Sequence, residues 1–188
     1  MIRFIFAIIL ITPFLSFGQT TLEKAKLLYE ARKYADAEKS LKLIGEKSAD
    51  YAAARYYLGR VSFDKKEYDD AVDYFEEATK TNNKVSEYFV WLGDTYGSIA
   101  QNASVLKQGW LAPKMKNAWE TAIALDTKNL DARASLIQFY LQAPGFMGGS
   151  IDKAKETARQ ITAIKPAEGH PQMGNIYLYE KQPNEAEK

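Results

Sequence analysis

Apolar residues along this chain recur at intervals of three and four, with polar residues between them. Tyr57, Leu58 and Val61 mark one such stripe, and Ala71, Tyr74, Phe75 and Ala78 mark the next. That spacing gathers each set on one face of a helix, and no alternating, strand-like pattern competes with it. Extended along the sequence, the pattern predicts first helices near residues 21–31, 52–64, 86–98, 130–142 and 168–180. Second helices follow near 34–46, 68–81, 113–126 and 151–164. Start signals agree with these boundaries: Thr20 with Glu23 forms a capping box, Ser86 can cap the third pair, and Ser150 with Asp152 can cap the helix at 151.

The pairs repeat. Tyr34 and Tyr68, Asp36 and Asp70, and Ala37 and Ala71 each lie 34 residues apart, and so do Leu58–Gly59 and Leu92–Gly93. Two different signatures thus share one period, and each unit is filled by two helices and a short turn. Gly59 and Ala71 have a mechanical reason, since small side chains let the paired helices approach closely, while Tyr57, Tyr74 and Phe75 fill the space that remains. At these residues the sequence resembles the tetratricopeptide repeat family, whose 34-residue helix-turn-helix unit carries a leucine-glycine pair in the first helix and spaced alanines in the second. The resemblance is strongest over 52–85, good over 20–51 and interrupted beyond. Met115, Trp119 and Ala122 before "ALDTKN", and Ala154, Ala158 and Ile161 before "AIKP", continue it, with Pro166 where the family usually has proline. It implies an all-α fold, a right-handed α-solenoid of stacked antiparallel helix pairs with about four and a half repeats, near 19–51, 52–85, 86–129, 130–166 and an incomplete 167–188.

The period breaks twice. Ala71 to Met115 is 44 residues and Met115 to Ala154 is 39, which places ten extra residues between the helices of the third unit and five between those of the fourth. Turns of one kind line one rim of a solenoid, so "SIAQNASVLKQGWLAP" and "QAPGFMGGS" are expected as neighbours. They carry Trp110, Leu111, Phe146 and Met147, a rim patch that either seals the two turns against each other or binds a partner.

The N-terminus departs from the rest in composition. Met1, Ile2 and Arg3 precede a largely apolar run from Phe4 to Leu15, followed by Ser16, Phe17 and Gly18. The run is short of the roughly 20 residues of a spanning helix, and small residues sit at its end, so 1–18 reads as a signal peptide cleaved after Gly18. Its ending, "SFGQ", is similar to those of exported bacterial proteins, which points to the periplasm, with 19–188 as the repeat domain and no membrane span after cleavage. Lys188 lies only a few residues into the fifth second helix. That marks a fragment, or else leaves the last first helix uncapped for another chain to cover, self-association included.

Charge and inventory remove several functions. Lys and Arg number 25 against 24 Asp and Glu, so no net charge is available to hold nucleic acid over the whole surface. There is no Cys, which removes disulfides, lipid-modified cysteine and thiol catalysis together. His170 is the only histidine, in "EGHPQ" at a helix entrance, and reads as a loop or capping residue rather than a metal ligand. The loop of Gly145, Gly148 and Gly149 looks at first like a phosphate cradle but lacks the following Lys-Ser/Thr. Acidic pairs such as Asp69–Asp70 and Glu76–Glu77 have lysines within helical reach and read as solvated faces. No catalytic residues, metal or cofactor are assigned.

What remains is surface shape. By resemblance to the family, the inner face of the first helices forms a partner groove presenting Lys26, Tyr29, Tyr56, Arg60, Phe63, Asp64, Val90, Asp94, Asp131 and Gln138. The aromatics and Arg60 are either anchors or packing between repeats. Family members that clamp a C-terminal carboxylate use several Lys, Arg and Asn; the matching surface here offers Leu22, Lys26, Tyr57, Glu87 and Trp91, which argues against such a clamp. The expected function is a non-enzymatic, exported scaffold that binds a protein or peptide through the groove or the long-turn rim. The alternative is a small-molecule binder or enzyme using a pocket under the two long turns.

Overall fold

The computed structural model describes residues 20–181, and the predicted signal peptide lies outside them. The described chain is helical throughout. α1 (Thr21–Glu30) pairs with α2 (Tyr34–Leu41), α3 (Tyr51–Asp64) with α4 (Tyr68–Thr81), α5 (Ser86–Ala100) with α6 (Val105–Leu125) and α7 (Leu130–Gln142) with α8 (Ile151–Ile164); α9 (Pro166–Lys181) follows. Each pair packs on the next, α4 against α5 and α6 against α7, and the first helices α1, α3, α5, α7 and α9 also touch in order. Helices whose apolar stripes cannot be buried alone thus cover one another along the stack.

The small residues act as the period implies. A Cβ at Gly59 would lie 2.6 Å from the Phe75 ring, and one at Gly93 would lie 2.5 Å from Trp119 Nε1. The aromatic of each second helix therefore sits in a notch that only glycine leaves open. Thr20, Asn129 and Ser150 cap α1, α7 and α8 by accepting from the backbone N–H of Glu23, Ala132 and Lys153. Ser86 does not cap. It is the first residue of α5, donates to the Ala122 carbonyl at 2.8 Å and accepts from Asn129 Nδ2 at 2.8 Å, so it ties the start of one helix to the exit of the next.

The ten-residue insertion is helix, not turn. α6 begins at Val105 behind the cap of Ser104 and runs through Pro113 to Leu125, leaving a turn of only 101–104. An interior proline costs roughly 3 kcal/mol, which is why the sequence predicts a start at 113. Burial of Leu111 and Ala112, 1% and 4% exposed, anchors the added turns against the body of the protein and outweighs that penalty.

The five-residue insertion is a turn. Residues 145–147 form one 3-10 turn, Gly148 takes a left-handed φ of 105°, and a Cβ at Gly149 would meet the Ala143 carbonyl oxygen at 1.7 Å. The amides of Met147 and Gly149 donate to the Pro144 carbonyl, that of Gly148 to Gly145 and that of Ser150 to Tyr140, so the donors of 147–150, including both loop glycines before the helix, are used within the turn rather than turned toward an anion.

At the far end, Pro166 is the first residue of α9, where a missing N–H costs nothing. His170 consequently lies within the helix and exposed, not in a loop or cap. α9 docks through Ile176, which is fully buried, through Tyr179 Oη donating to the Leu141 carbonyl, and through Lys155 with Glu180.

Candidate functional site

Lys26, Arg60, Asp94 and Gln138 occupy one register position in successive first helices, separated by 34, 34 and 44 residues. The face they share divides into two parts of different chemistry.

Around Arg60 the expected anchors are turned inward. Tyr29, Tyr56 and Val90 are 7%, 3% and 5% exposed and belong to the core. The Arg60 guanidinium lies 3.8 Å from the Trp91 ring centre and 5.1 Å from that of Tyr29. It donates to Tyr56 Oη at 2.7 Å, and Tyr56 Oη in turn donates to Glu87. Phe63 packs edge-on against Trp91, and Tyr29 donates to Asp64 at 2.9 Å. Burial and the Asp64 acceptor together push the Tyr29 phenol up to about 12; burial, followed by the hydrogen bond to Glu87, raises Tyr56 further. These phenols stay protonated and act as donors. Lys26 is half-buried and paired with Glu23 at 3.0 Å. The first part of the face is a closed aromatic-cation network, in which Arg60 is held by the rings and Tyr56 while its buried Nε has no hydrogen-bond partner among the described residues.

Between α5, α6 and α7 the face opens into a cavity of about 650 Å³. Its cause is visible in the register: Gly97 stands 34 residues after Phe63, so the space that Phe63 fills one unit earlier is vacant here. Met115, Trp119 and Phe139 form apolar walls, and Met147 of the 3-10 turn borders it. Asp94 lies in the wall, where its Oδ1 accepts from Trp119 Nε1 at 2.9 Å and from Ser135 Oγ at 2.8 Å. Burial raises the Asp94 carboxyl above its ordinary 3.8, more than these two donors lower it. A carboxyl raised on folding contributes stability that is fully present below 3.8 and lost as pH rises through the folded value, so the ionised Asp94 is carried at a cost.

The other expected residues are placed as follows. Gln138 is exposed and lines the cavity, and Asp131 is exposed in the first turn of α7. Of the rim residues, Leu111 is core, Trp110 is 60% exposed with Lys114 Nζ 3.9 Å from its ring centre, and Phe146 is 82% exposed. The turn meets α6 at Gly109, whose Cβ position lies 3.7 Å from Met147 Cε. Trp119 and Ser135, which fix Asp94, and Gln101, Gln108 and Gln142 on the cavity wall were not among the expected site residues. Among the described residues, no group of three or more His, Cys, Asp or Glu side chains could hold a metal, and no helix is long and apolar enough to cross a membrane.

Stacked antiparallel helix pairs with one groove-bearing face define an all-α helical-repeat solenoid. Residues 22–84 match the tetratricopeptide repeat family model. MamA is similar at 20% identity, with a TM-score of 0.65 over 83% of this chain and 84% of that one. YrrB, described as a TPR protein with an unusual peptide-binding site, is similar at 20% identity and a TM-score of 0.65, over 89% of this chain and 79% of its own. The first TPR of Spaghetti bound to an HSP90 peptide is similar at 14% identity and a TM-score of 0.55, over 70% and 96%. No curated protein matches the sequence. Residues 22–84 thus carry the sequence signature of the tetratricopeptide repeat, and the described chain shares the helical-repeat fold of these solved proteins.

Proposed function

We propose that this chain is a non-catalytic scaffold, exported to the periplasm, that binds a peptide or protein segment along the face of its first helices. The observation that carries the reading is the position of the cavity, which lies on the register column of Arg60, Asp94 and Gln138 and is walled by first helices on two sides. The peptide-binding site of YrrB and the peptide bound to Spaghetti lend support, since both are built on this fold. Export rests on residues 1–18 alone. The chemistry differs from a carboxylate clamp, because Leu22 is buried and Trp91 covers Arg60 instead of leaving cations free for an acidic terminus.

A second reading, a small-molecule binder or enzyme, is favoured by the same cavity, whose size falls in the roughly 300–1,000 Å³ range of ligand pockets and whose wall brings Asp94 and several glutamines together.

Partner capture separates groove from rim. Asp131→Arg combined with Gln138→Arg changes two exposed side chains and is expected to keep wild-type helicity while reducing capture from the native compartment by roughly tenfold or more. Phe146→Ser, at the exposed turn, is expected to capture as wild type does. Unchanged capture by the groove variant with loss in Phe146→Ser would move the interface to the rim and overturn the proposal.

A further inference from the structure

Among the described residues lining the cavity, Asp94 is the one charged side chain. Both of its donors, Trp119 Nε1 and Ser135 Oγ, address Oδ1, and no described residue donates to Oδ2. The charge that acts on it is that of Asp131, which is of the same sign, and no described cation pairs with it. A partly buried carboxylate with one oxygen free of protein donors and no counter-ion is costly to keep. The same residue position holds Lys26 and Arg60 in the two preceding units, so the reversal of sign coincides with the place where the face opens.

The rest of the wall narrows the chemistry. Met115, Trp119 and Phe139 offer polarizable and aromatic surface to an aliphatic stem, and the exposed Gln138 and Gln142 supply amide donors and acceptors at the open side. An anionic group would meet Asp94 and Asp131 together. A neutral one would leave Oδ2 unpaired in a site from which it also excludes water.

We propose that this cavity receives a lysine or arginine side chain from an extended segment of a partner protein, with Asp94 as its counter-charge and the glutamine amides against the adjoining peptide backbone. At about 650 Å³ the cavity is larger than one such side chain, which leaves room for neighbouring residues of the segment. The assignment rests on the groove reading above and names the chemistry of its occupant.

The test is calorimetric titration of the chain with acetyl-Ala-Ala-Lys-Ala-Ala-amide, its norleucine and glutamate counterparts, and n-butylammonium. The lysine peptide is expected to bind about tenfold or more tightly than the norleucine peptide, and the glutamate peptide most weakly. Asp94→Asn keeps an acceptor for Trp119 and Ser135 while removing the charge. It is expected to melt no lower than wild type at neutral pH, to lose about tenfold or more of the lysine affinity and to leave norleucine binding unchanged. A residue serving structure alone would show the opposite, a lower melting point and no change in peptide preference. Equal lysine and norleucine affinities in the wild type would overturn the charge assignment while leaving the groove as a peptide site, and this comparison needs no variant to fold. Absence of binding by every peptide, or n-butylammonium binding as tightly as the lysine peptide, would also overturn the proposal. Groove-dependent capture in either case would keep the scaffold reading intact.

Discussion

Phe75→Ala is expected to cost about 3–5 kcal/mol, the range for deleting a buried aromatic ring, and to lower the melting midpoint by roughly 6–20 °C for a domain of this size. The ring is fully buried and packs against Tyr56 and Trp91 at centre distances of 5.9 and 6.2 Å. It also occupies the notch at Gly59, which couples the two sites. In the wild type, Gly59→Ala places a methyl carbon 2.6 Å from that ring and is expected to destabilise. In the Phe75→Ala background the obstruction is gone, and the same substitution is expected to stabilise by up to about 1 kcal/mol through helix propensity. A thermal double-mutant cycle measures the reversal of sign. Equal effects of Gly59→Ala in both backgrounds would contradict the notch.

Trp119→Ala is expected to cost a similar amount, about 3–5 kcal/mol, for reasons that join fold to site. Trp119 is 4% exposed, fills the notch at Gly93, tilts against Phe139 at 6.2 Å and gives Asp94 one of its two donors. Its loss enlarges the cavity and loosens the carboxylate at once. Trp119→Phe keeps ring bulk and removes only Nε1, so it is expected to cost less, about 1–3 kcal/mol for a buried charge-assisted hydrogen bond. Chemical denaturation of the two variants separates packing from hydrogen bonding. A loss in Trp119→Phe as large as that in Trp119→Ala would mean that the hydrogen bond, not the packing, dominates.

Much of the fold was legible because it depends on local periodicity. The 34-residue spacing of Leu58–Gly59 and Leu92–Gly93 located the close approaches, and Ser150 marked the start of α8. α6 was not legible, since Pro113 is a strong local signal and the burial of Leu111 and Ala112 that overrides it exists only in the packed protein. Ser86 reads as a cap in the sequence for a related reason: its actual partners, Ala122 and Asn129, are 36 and 43 residues away.

The site was legible as a column and not as a shape. The register of Asp94 and Gln138 follows from the repeat, but whether a first-helix aromatic faces a partner or the next helix depends on how closely the units stack, and Tyr29 and Tyr56 went to the core. Gly97 in the place of Phe63 was a signal for the opening, readable by extending the period one residue type at a time. That Trp119 and Ser135 converge on Asp94 was not, because they come from 25 and 41 residues further along on different helices. Two long turns would gather the rim patch on one edge, but with α6 extended Leu111 belongs to the core while Trp110 and Phe146 remain exposed.

The central claim is that a partner lies along the first-helix face and enters the cavity at Asp94. Hydrogen exchange of the chain, free and with its captured partner, tests it most directly, because opening rates report residue by residue where binding stabilises the structure. Added protection concentrated in α5 and α7, over 90–98 and 134–142, is the predicted result. Protection confined to the start of α6 and the 145–147 turn, with α5 and α7 unchanged, would contradict it.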